Sequence, residues 1–559
     1  MPDEVDLLVR GTLVDVNTGR LEERAIAVDD GEVVALEERP AEREIDAEYV
    51  TPGLIDAHTH VEASMVTIPQ YGDAVVPHGV TGVVHDPHEI ANVTGAEGVR
   101  NFDADAAETP LKARMTVPSS VPASPLQDAG ATVDAEAVAG LLDEERAIAL
   151  GEVMDLPAVL DGDAGMHAKI AAARERGLTV DGHLPGIGGS DLQELARYLD
   201  TDHESVDLDE ARAKADAGIR VYLREGSTSK NLDSLVGIVD EVDTRRLSLC
   251  SDDRSVTDIR DRGGINEAVV KAIDLGVDPV TAVQMATINT AEAYDLPFGR
   301  VEPGAPADMV LLSDLESWDV DHVVVDGVVD PTEGTDPPAD SAVASDTVTF
   351  DPVDAADLAI PHPGPGPVEV RVESAVGSFR TELLTDEVPV GAAAGADSVL
   401  VANRDEDVLP MAVIERHGGP GTIGCGFVHN LGLDRGAIGT TIAHDAHNCV
   451  VAGVTHEAMA AVANELRAVD GGLAVYDPAA DACTTLPLPV AGMISEAPVD
   501  ETARRFEAVR DAADDIGCTV PGGVLELSYL ALEVIPEVRL TNNGLVDVRA
   551  GEYLDVIVE

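Results

Sequence analysis

The sequence predicts an α/β protein: a (β/α)8 barrel, a small flanking β-domain built from both sides of the barrel, and a separate mixed α+β C-terminal domain. Three observations support this. Eight short apolar runs between residues 54 and 253 each end in polar or charged residues, and helix-like stretches separate several of them. β-rich runs flank that region, and a stretch rich in proline and glycine follows it. Eight alternating strand and helix units favour a barrel.

The flanking β-domain is predicted from two separate pieces of chain. Residues 5–38 look like strands, and Asp30-Gly31 is a hairpin signal between two β-rich runs. A similar pattern returns at 308–328. Neither piece is long enough to form a domain alone, so we expect residues 1–50 and 300–345 to join into one.

The barrel is predicted over residues 51–299. Its strands are expected at LIDAHTH (54–60), GVVHDP (82–87), ARMTVPSS (113–120), AIALGEVMD (147–155), LTVDGHLP (178–185), DHES (202–205), IRVYLREG (219–226) and RLSLCSDD (246–253). The DHES strand is assigned mainly because the alternation requires a strand there. Helical patterns at 136–145, 167–177 and 265–276 lie between or after these runs.

The amino-acid composition changes after the predicted barrel. Residues 329–367 are rich in proline, glycine and small polar residues, and we expect a linker at 346–367. New strand and helix patterns begin at 368, which predicts a C-terminal domain over 368–559.

The charge excludes several classes of function. The 559 residues include 36 Lys+Arg and 105 Asp+Glu, a formal net charge of −69. Such a chain repels phosphate backbones and anionic lipid, so we expect neither a nucleic-acid nor a membrane partner. Scarce lysine, 3% aromatic residues and acids spread along the whole chain resemble the proteins of a salt-loving archaeon. The sequence shows no signal peptide and no membrane span, which predicts a cytoplasmic protein.

Polar residues at the predicted strand ends indicate a metal site. His58 and His60 stand at i and i+2 on the first strand, so both imidazoles point to one side. The ends of barrel strands converge on one face. The later strand ends supply four more ligand-type residues: Glu152, His183, His203 and Asp252. Each alone also fits a solvated acid, a cap or a turn, but together they form a nitrogen and oxygen shell for two divalent ions.

A bound divalent ion turns water into a nucleophile at neutral pH, and a nearby carboxylate must carry the proton to the leaving group. Asp252, Asp253 and Glu204 are the predicted catalytic carboxylates, and Glu62 is close in sequence to a ligand. The chemistry is therefore hydrolytic. The attacked carbon belongs to an amide, a cyclic amide or an amino-substituted ring.

Longer motifs carry a resemblance to a known family. They include PGLIDAHTHVEASM (52–65), PHGVTGVVHDPHEIANVTG (77–95), GEVMD (151–155), DGHLPG (181–186), TDHES (201–205), SDDR (251–254), AHDAHN (443–448) and LSYLALEVIPEVRLTNNGLVDV (527–548). The chain resembles the amidohydrolase superfamily and, more closely, its microbial adenine deaminases. The resemblance covers nearly the whole chain, and DPHEIANV and AHDAHN are far more specific than HxH. It departs near Ser255 and Gly264, where the family tends to carry histidines.

The resemblance implies deamination of adenine to hypoxanthine and ammonia in purine salvage, with Mn²⁺ or Fe²⁺ at a binuclear site. It assigns the metal to the six strand-end residues above, with Glu152 where many relatives place a carboxylated lysine. It further implies that Asp86, His88 and Glu89 line the pocket or hold an extra ion. His444, Asp445, His447 and Asn448 either close the site or form a structural turn. The predicted substrate-binding residues are Glu62, Asp86, His88, Glu89, Arg224, Glu225, His444 and His447, with Ser227 beside them.

Two other interpretations remain open from the sequence. The same barrel and ligands also fit an amidohydrolase that acts on a cyclic amide or a different aminated base. A catalytically inactive barrel that serves as a binding or scaffold protein is the non-enzymatic alternative, although all six ligand positions are filled. Barrels of this kind often pair, so we expect a homo-oligomer that binds a small-molecule substrate.

Overall fold

The structure is a computed structural model, and it describes residues 4–332, 341–364, 368–375, 390–394 and 399–558. It contains two compact units. The barrel unit comprises Met1–Pro87, Phe102–Ser119 and Asp134–Asp340. The C-terminal unit comprises His88–Asn101, Ser120–Val133 and Ser341–Glu559.

The strands of the barrel unit are β1 (Val5–Asp15), β2 (Arg20–Asp29), β3 (Glu32–Ala35), β4 (Ala41–Pro52), β5 (Leu54–His60), β6 (Val80–His85), β7 (Lys112–Val117), β8 (Ala147–Val153), β9 (Thr179–Gly182), β10 (Thr201–Asp202), β11 (Arg220–Arg224), β12 (Leu247–Cys250), β13 (Asp252–Asp253), β14 (Met309–Asp314), β15 (Asp319–Val325) and β16 (Val328–Val329). The helices up to residue 294 are α1 (Ile68–Val75), α2 (His88–Asp105), α3 (Ala135–Leu141), α4 (Leu156–Asp161), α5 (Ala164–Glu175), α6 (Gly189–Leu195), α7 (Leu208–Ala217), α8 (Leu232–Leu235), α9 (Val256–Arg262), α10 (Asn266–Asp274), α11 (Pro279–Met285) and α12 (Ile288–Tyr294). Helix α2 contains a kink at Gly95, whose φ is 67°.

The flanking sheet joins the two predicted pieces of chain. Its strand order is β16-β15-β14-β4-β1-β2-β3. The junction is the antiparallel pair β14 and β4, in which Leu311 stands opposite Val50. Both residues are fully buried in a core with Leu7, Val9 and Met309. The β-domain built from both sides of the barrel is thus confirmed.

The barrel strands follow one another in chain order, and every hydrogen-bonded pair among them is parallel. One sheet has the order β13-β5-β6-β7-β8-β9, and a second has the order β10-β11-β12. Beside the step from β9 to β10, Asp200 N donates to Val180 O at 2.9 Å. β13 follows β12 directly and pairs with β5 through Asp252 and Thr59. The predicted (β/α)8 architecture is confirmed.

Burial explains why the barrel strands could be predicted from the sequence. All seven residues of β5 are buried, because a parallel strand inside a barrel has no solvated face. β5 has the predicted bounds, whereas the predicted DHES strand is only two residues long and begins one residue earlier. The three helical patterns correspond to α3, α5 and α10, although α3 already ends at Leu141.

The C-terminal unit is a mixed α and β structure. Its elements are β17 (Val368–Val370), β18 (Glu373–Ser374), β19 (Val390–Ala394), β20 (Leu400–Val401), β21 (Val408–Ile414), β22 (Ile423–His429), β23 (Ala437–Thr440), β24 (Cys449–Gly453), α13 (His456–Ala468), β25 (Gly472–Asp477), β26 (Ala482–Pro487), α14 (Val499–Asp515), α15 (Leu527–Leu530), β27 (Val538–Thr541), β28 (Gly544–Asp547) and β29 (Glu552–Leu554). The main sheet has the order β18-β22-β21-β24-β23-β25-β26. Three-stranded sheets β17-β19-β20 and β27-β28-β29 accompany it.

Two early segments, His88–Asn101 and Ser120–Val133, also belong to the C-terminal unit. Nothing in the sequence pattern indicated this, because both segments lie between predicted barrel strands. The predicted domain boundaries stay a prediction. Residues 365–367 of the predicted linker, and 376–389 and 395–398 beyond it, lie outside the described residues. Among the described residues, no helix combines the length and the apolar character that crossing a membrane requires.

Candidate metal centre and active site

The two histidines of the HxH motif are turned toward one point by their hydrogen bonds. His58 Nδ1 donates to Asp181 Oδ2 at 3.0 Å, and His60 Nδ1 donates to the Asp86 carbonyl at 2.9 Å. Each ring therefore presents the lone pair of Nε2, and the two Nε2 atoms are 3.1 Å apart. Two facing lone pairs repel unless a cation lies between them, so the geometry suits a metal ion.

Glu152, at the end of β8, stands between two groups of histidines. Its Oε1 is 3.2 Å from His60 Nε2 and 3.8 Å from His58 Nε2. Its Oε2 is 2.8 Å from His183 Nδ1 and 3.5 Å from His203 Nε2. One carboxylate thus faces one pair of imidazoles with each oxygen.

Asp252 completes the group on the His58 and His60 side. Its Oδ1 is 3.2 Å from His60 Nε2, and its Oδ2 accepts a hydrogen bond from Arg224 at 2.6 Å. Asp252 has a positive φ of 59°, a left-handed conformation that aspartate tolerates better than most residues. All six predicted strand-end residues are therefore brought together in the barrel unit.

The electrostatics favour ionised carboxylates in this centre. Burial acts to raise the pKa of Glu152, but the neighbouring His183 and His60 outweigh it and hold the pKa well below its usual range. Burial also acts to raise the pKa of Asp252, and the Arg224 guanidinium beside it reverses that effect. Burial lowers the pKa of His203 well below its usual value, which keeps that ring neutral. His60 differs, because burial acts to lower its pKa but the carboxylates of Asp252 and Glu152 beside it raise the pKa well above its usual value. A divalent ion requires ionised carboxylates and unprotonated imidazoles, so it would compete with a proton for that ring.

The other predicted catalytic residues lie nearby. Glu204 Oε1 is 3.6 Å from His203 Nε2 and pairs with Arg224. The ligand atoms of Asp253, His60 and Asp252 all lie within 4.8 Å of one another. Arg224 therefore contacts two acids of the centre, which the sequence did not indicate.

The remaining predicted residues of the barrel unit have varied surroundings. Glu62 is buried in the 3-10 helix Val61–Ser64 that directly follows β5. Asp86 Oδ2 accepts a hydrogen bond from the backbone N–H of Glu152 at 2.9 Å. Glu225 forms ion pairs with two lysines, and Ser227 contacts Asp258, so neither is grouped with the six strand-end residues.

Sequence reasoning missed Asp181, which is fully buried and holds the ring of His58. A signal for it exists. Asp181 and His183 are spaced two apart at the end of a strand, as His58 and His60 are, so both side chains point to the same side. The loop that departs from the family pattern forms an ordinary cap: Ser255 Oγ accepts from Asp258 N at the start of α9.

A second group of histidines and acids lies within the C-terminal unit. Glu89, in the first turn of α2, contacts His444 with one oxygen and His447 with the other. His88 Nε2 is 3.6 Å from Glu89 Oε1 and 4.0 Å from Asp445 Oδ1. Burial acts to raise the pKa of Glu89, but the histidines around it hold the pKa well below its usual range.

The neighbouring Asn448 forms side-chain hydrogen bonds with backbone groups. Its side-chain amide donates to the Asp128 carbonyl at 2.8 Å and accepts from Arg416 N at 3.3 Å. The AHDAHN motif therefore contributes His444 and His447 to a polar cluster. It also contributes the Asn448 amide, whose hydrogen bonds stabilise the turn. The pocket roles predicted for its histidines stay predictions.

Comparison with known proteins places these groups in a family. Residues 49–329 match the Amidohydrolase family, and residues 382–552 match the adenine deaminase C-terminal domain. An adenine deaminase of Desulfatibacillum aliphaticivorans is 37% identical over 99% of this chain and 97% of its own length. One from Salinibacter ruber is 38% identical over 99% of both chains.

Solved structures resemble the chain more distantly. The crystal structure of an adenine deaminase covers 58% of this chain and 99% of its own, with 18% identity and a TM-score of 0.45, too low to bear on the assignment. The assignment rests on the two family matches and the full-length relatives. The chain belongs to the adenine deaminase family of the amidohydrolases.

Proposed function

We propose that this protein hydrolyses adenine to hypoxanthine and ammonia. The observation that carries the proposal is the match over 99% of the chain to relatives named adenine deaminase. Both family matches agree with it, since one covers the barrel and the other the C-terminal region. The centre around Glu152 supplies the ligands that hydrolytic deamination of this kind requires.

We further propose a binuclear manganese or iron site. The two facing Nε2 atoms of His58 and His60 fit one ion together with Asp252, and His183 with His203 fits a second. Glu152, which faces both groups of histidines, would be a further ligand. A divalent ion bound there supplies an activated water for attack on C6 of the purine.

The chain's own residues would move the proton. Asp252 would take a proton from the attacking water, and Arg224, which donates to Oδ2 of this carboxylate, would hold it in place. Asp252 would then deliver that proton to the 6-amino nitrogen, which leaves as ammonia when the C6–N bond breaks. Glu204 and Asp253 are the other acids within reach of this centre, and their proton-carrying roles remain part of the proposal.

Recognition of the base needs polar groups beside the centre. Glu62 is the best placed in the barrel unit, because it is buried and follows the HxH strand without a gap. Burying an unpaired ring nitrogen costs about 1–3 kcal/mol, so a matched acid or donor at this point decides which base is accepted. The contributions predicted for Asp86, Arg224, Glu225, His88, Glu89, His444 and His447 stay predictions.

The test is adenine turnover with and without Mn²⁺ in multimolar KCl, on wild type and on Asp252→Asn. We expect ammonia release from adenine that depends on Mn²⁺. The substitution should lower kcat by about 10²–10⁴-fold, the usual contribution of a positioned proton carrier. Asp274→Asn, an exposed aspartate on α10, is the matched control and should behave as wild type.

Alternative substrates are tested in the same assay. Guanine, cytosine and hydantoin-like rings should release no ammonia, and turnover of a cyclic amide comparable to that of adenine would contradict the proposal. A purified protein that retains less than about one Mn²⁺ per chain would instead favour an inactive scaffold.

We also propose that the enzyme comes from a halophilic archaeon and works in the cytoplasm as a homo-oligomer. The support for salt adaptation is the net charge of −69, with acids spread over both units. Salt shortens the range of the self-repulsion from about 10 Å at 0.1 M to about 3 Å at 1 M. Activity and thermal midpoint should therefore rise from dilute to multimolar KCl, and a protein indifferent to KCl would contradict salt adaptation.

A further inference from the structure

The cluster in the C-terminal unit has the composition of a second kind of metal site. It contains three imidazoles and two carboxylates: His88 and Glu89 at the start of α2, and His444, Asp445 and His447 in the turn after β23. His88, Glu89 and Asp445 are 6%, 3% and 5% exposed. Buried carboxylates are costly unless a cation or hydrogen bonds offset their charge.

His447 shows which atoms of this cluster are already committed. Ala443 N donates to His447 Nδ1 at 3.2 Å, so Nδ1 is the acceptor and Nε2 carries the proton. That proton is donated to Glu89 Oε2. His447 therefore holds the Glu89 carboxylate in place by a hydrogen bond, as residues next to the ligands of a metal site commonly do. It offers no lone pair to an ion.

The other oxygen of Glu89 faces the remaining donors. His444 Nδ1 contacts Glu89 Oε1, and His88 Nε2 is 3.6 Å from the same oxygen. Asp445 Oδ1 is 4.0 Å from His88 Nε2. Separations of 3.6 and 4.0 Å are too long for hydrogen bonds. They suit two ligands of one ion, because ligands about 2.0–2.2 Å from a metal lie about 3–4 Å from each other.

We infer that the C-terminal unit binds a divalent transition-metal cation through His88, Glu89, His444 and Asp445, with His447 holding Glu89 in place. Two nitrogen and two oxygen donors suit Mn²⁺, Fe²⁺ or Zn²⁺. This site shares no residue with the centre around Glu152. The inference goes beyond the proposed function and does not depend on it.

The test counts ions on the full-length protein. Metal-free protein is titrated with Mn²⁺ alone, and the ions bound per chain are read from the loss of the EPR signal of free Mn²⁺. We expect the double variant Glu89→Gln/His444→Gln to bind one ion fewer than wild type. Glu152→Gln should lose ions from the barrel unit and keep the ion that the double variant lacks.

The matched control is Glu457→Gln, an exposed glutamate at the start of α13, which should titrate as wild type. Equal stoichiometry and affinity in the double variant and in wild type would overturn the inference and leave a hydrogen-bonded cluster. If circular dichroism shows the double variant to be unfolded, Asp445→Asn carries the test. It should weaken one binding step by at least about tenfold, and an unchanged titration would overturn the inference. Adenine turnover is measured separately, so failure of the proposed function would not alter this count.

Discussion

Two buried glutamates, one in each unit, have histidines facing both of their oxygens. Glu152 in the barrel unit faces His60 and His183, and Glu89 in the C-terminal unit faces His444 and His447. In both, neighbouring imidazoles hold the carboxyl pKa well below its usual range despite burial. They differ in construction, since Glu152 meets residues from other strand ends of its barrel, whereas Glu89 meets one turn 355 residues later in the chain.

A third buried carboxylate shows what the histidines contribute. Glu373 on β18 is fully buried, and Arg539 is the charged group that acts on it. Burial raises the pKa of Glu373 to about 8, because Arg539 offsets only part of the desolvation. Burial alone therefore favours a protonated acid. The imidazoles make Glu152 and Glu89 different, and the predictions below test that difference.

The largest effect is expected from Glu152→Gln. The substitution removes a charge that faces both histidine groups, so the variant should lose Mn²⁺ and its adenine turnover together. Loss of one charge-stabilising group costs about 10²–10³-fold, and we expect at least that fall in kcat/KM. Activity and metal content are measured on the same preparation.

Glu175→Gln, an exposed residue at the end of α5, serves as the control for a surface glutamate. A Glu152→Gln protein that keeps both its manganese and its turnover would show that the carboxylate is not a ligand. It would also remove the distinction between Glu152 and any other buried acid.

The same comparison explains what the sequence could predict. The Glu152 centre was predictable because parallel strands place their ends on one face, so His58, His183 and Asp252 could be grouped by strand position alone. Nothing periodic links Glu89 to His444, and only the resemblance of two motifs singled both out. The contacts of Arg224 with Glu204 and Asp252 were not predictable, because they depend on side-chain direction across three strands.

The domain boundaries also include one part that the sequence predicted and one part that it did not. The joining of residues 5–29 and 309–325 into one sheet followed from two similar β patterns. The assignment of Ser120–Val133 to the C-terminal unit could not be predicted, because irregular chain carries no periodicity that indicates its packing partner. Gln127 in this segment contacts Glu533, more than 400 residues away.

A second prediction concerns Glu373 and the pH dependence of stability. A carboxyl with a folded-state pKa near 8 binds its proton more tightly in the folded protein than in the unfolded chain, where the value is near 4.5. Stability from this group is therefore full below pH 4.5 and is lost as pH rises through about 8. At 1.36 kcal/mol per unit, the loss is at most about 5 kcal/mol.

Glu373→Gln should remove this dependence, so the thermal midpoint of the variant should gain on wild type as pH rises from 5 to 8. Glu369→Gln is the control, since Glu369 is exposed on the nearby strand β17. A constant difference between variant and wild type across this range would mean that Arg539 keeps Glu373 ionised, and that imidazoles are not needed for that result.

The smallest effect is expected from Asp181→Asn, which leaves the ligands in place. Asp181 fixes the ring of His58 so that Nε2 presents its lone pair, and an amide holds that ring less firmly because it lacks the charge. Affinity for Mn²⁺ should fall by about 10–100-fold, while kcat at saturating Mn²⁺ changes less. Asp191→Asn, exposed on α6, should leave the titration unchanged. Equal Mn²⁺ affinity in Asp181→Asn and wild type would mean that the strand holds His58 without help. The hydrogen bond from His58 to Asp181 would then contribute nothing to metal binding, and this feature would no longer distinguish a metal centre from a chance cluster of histidines.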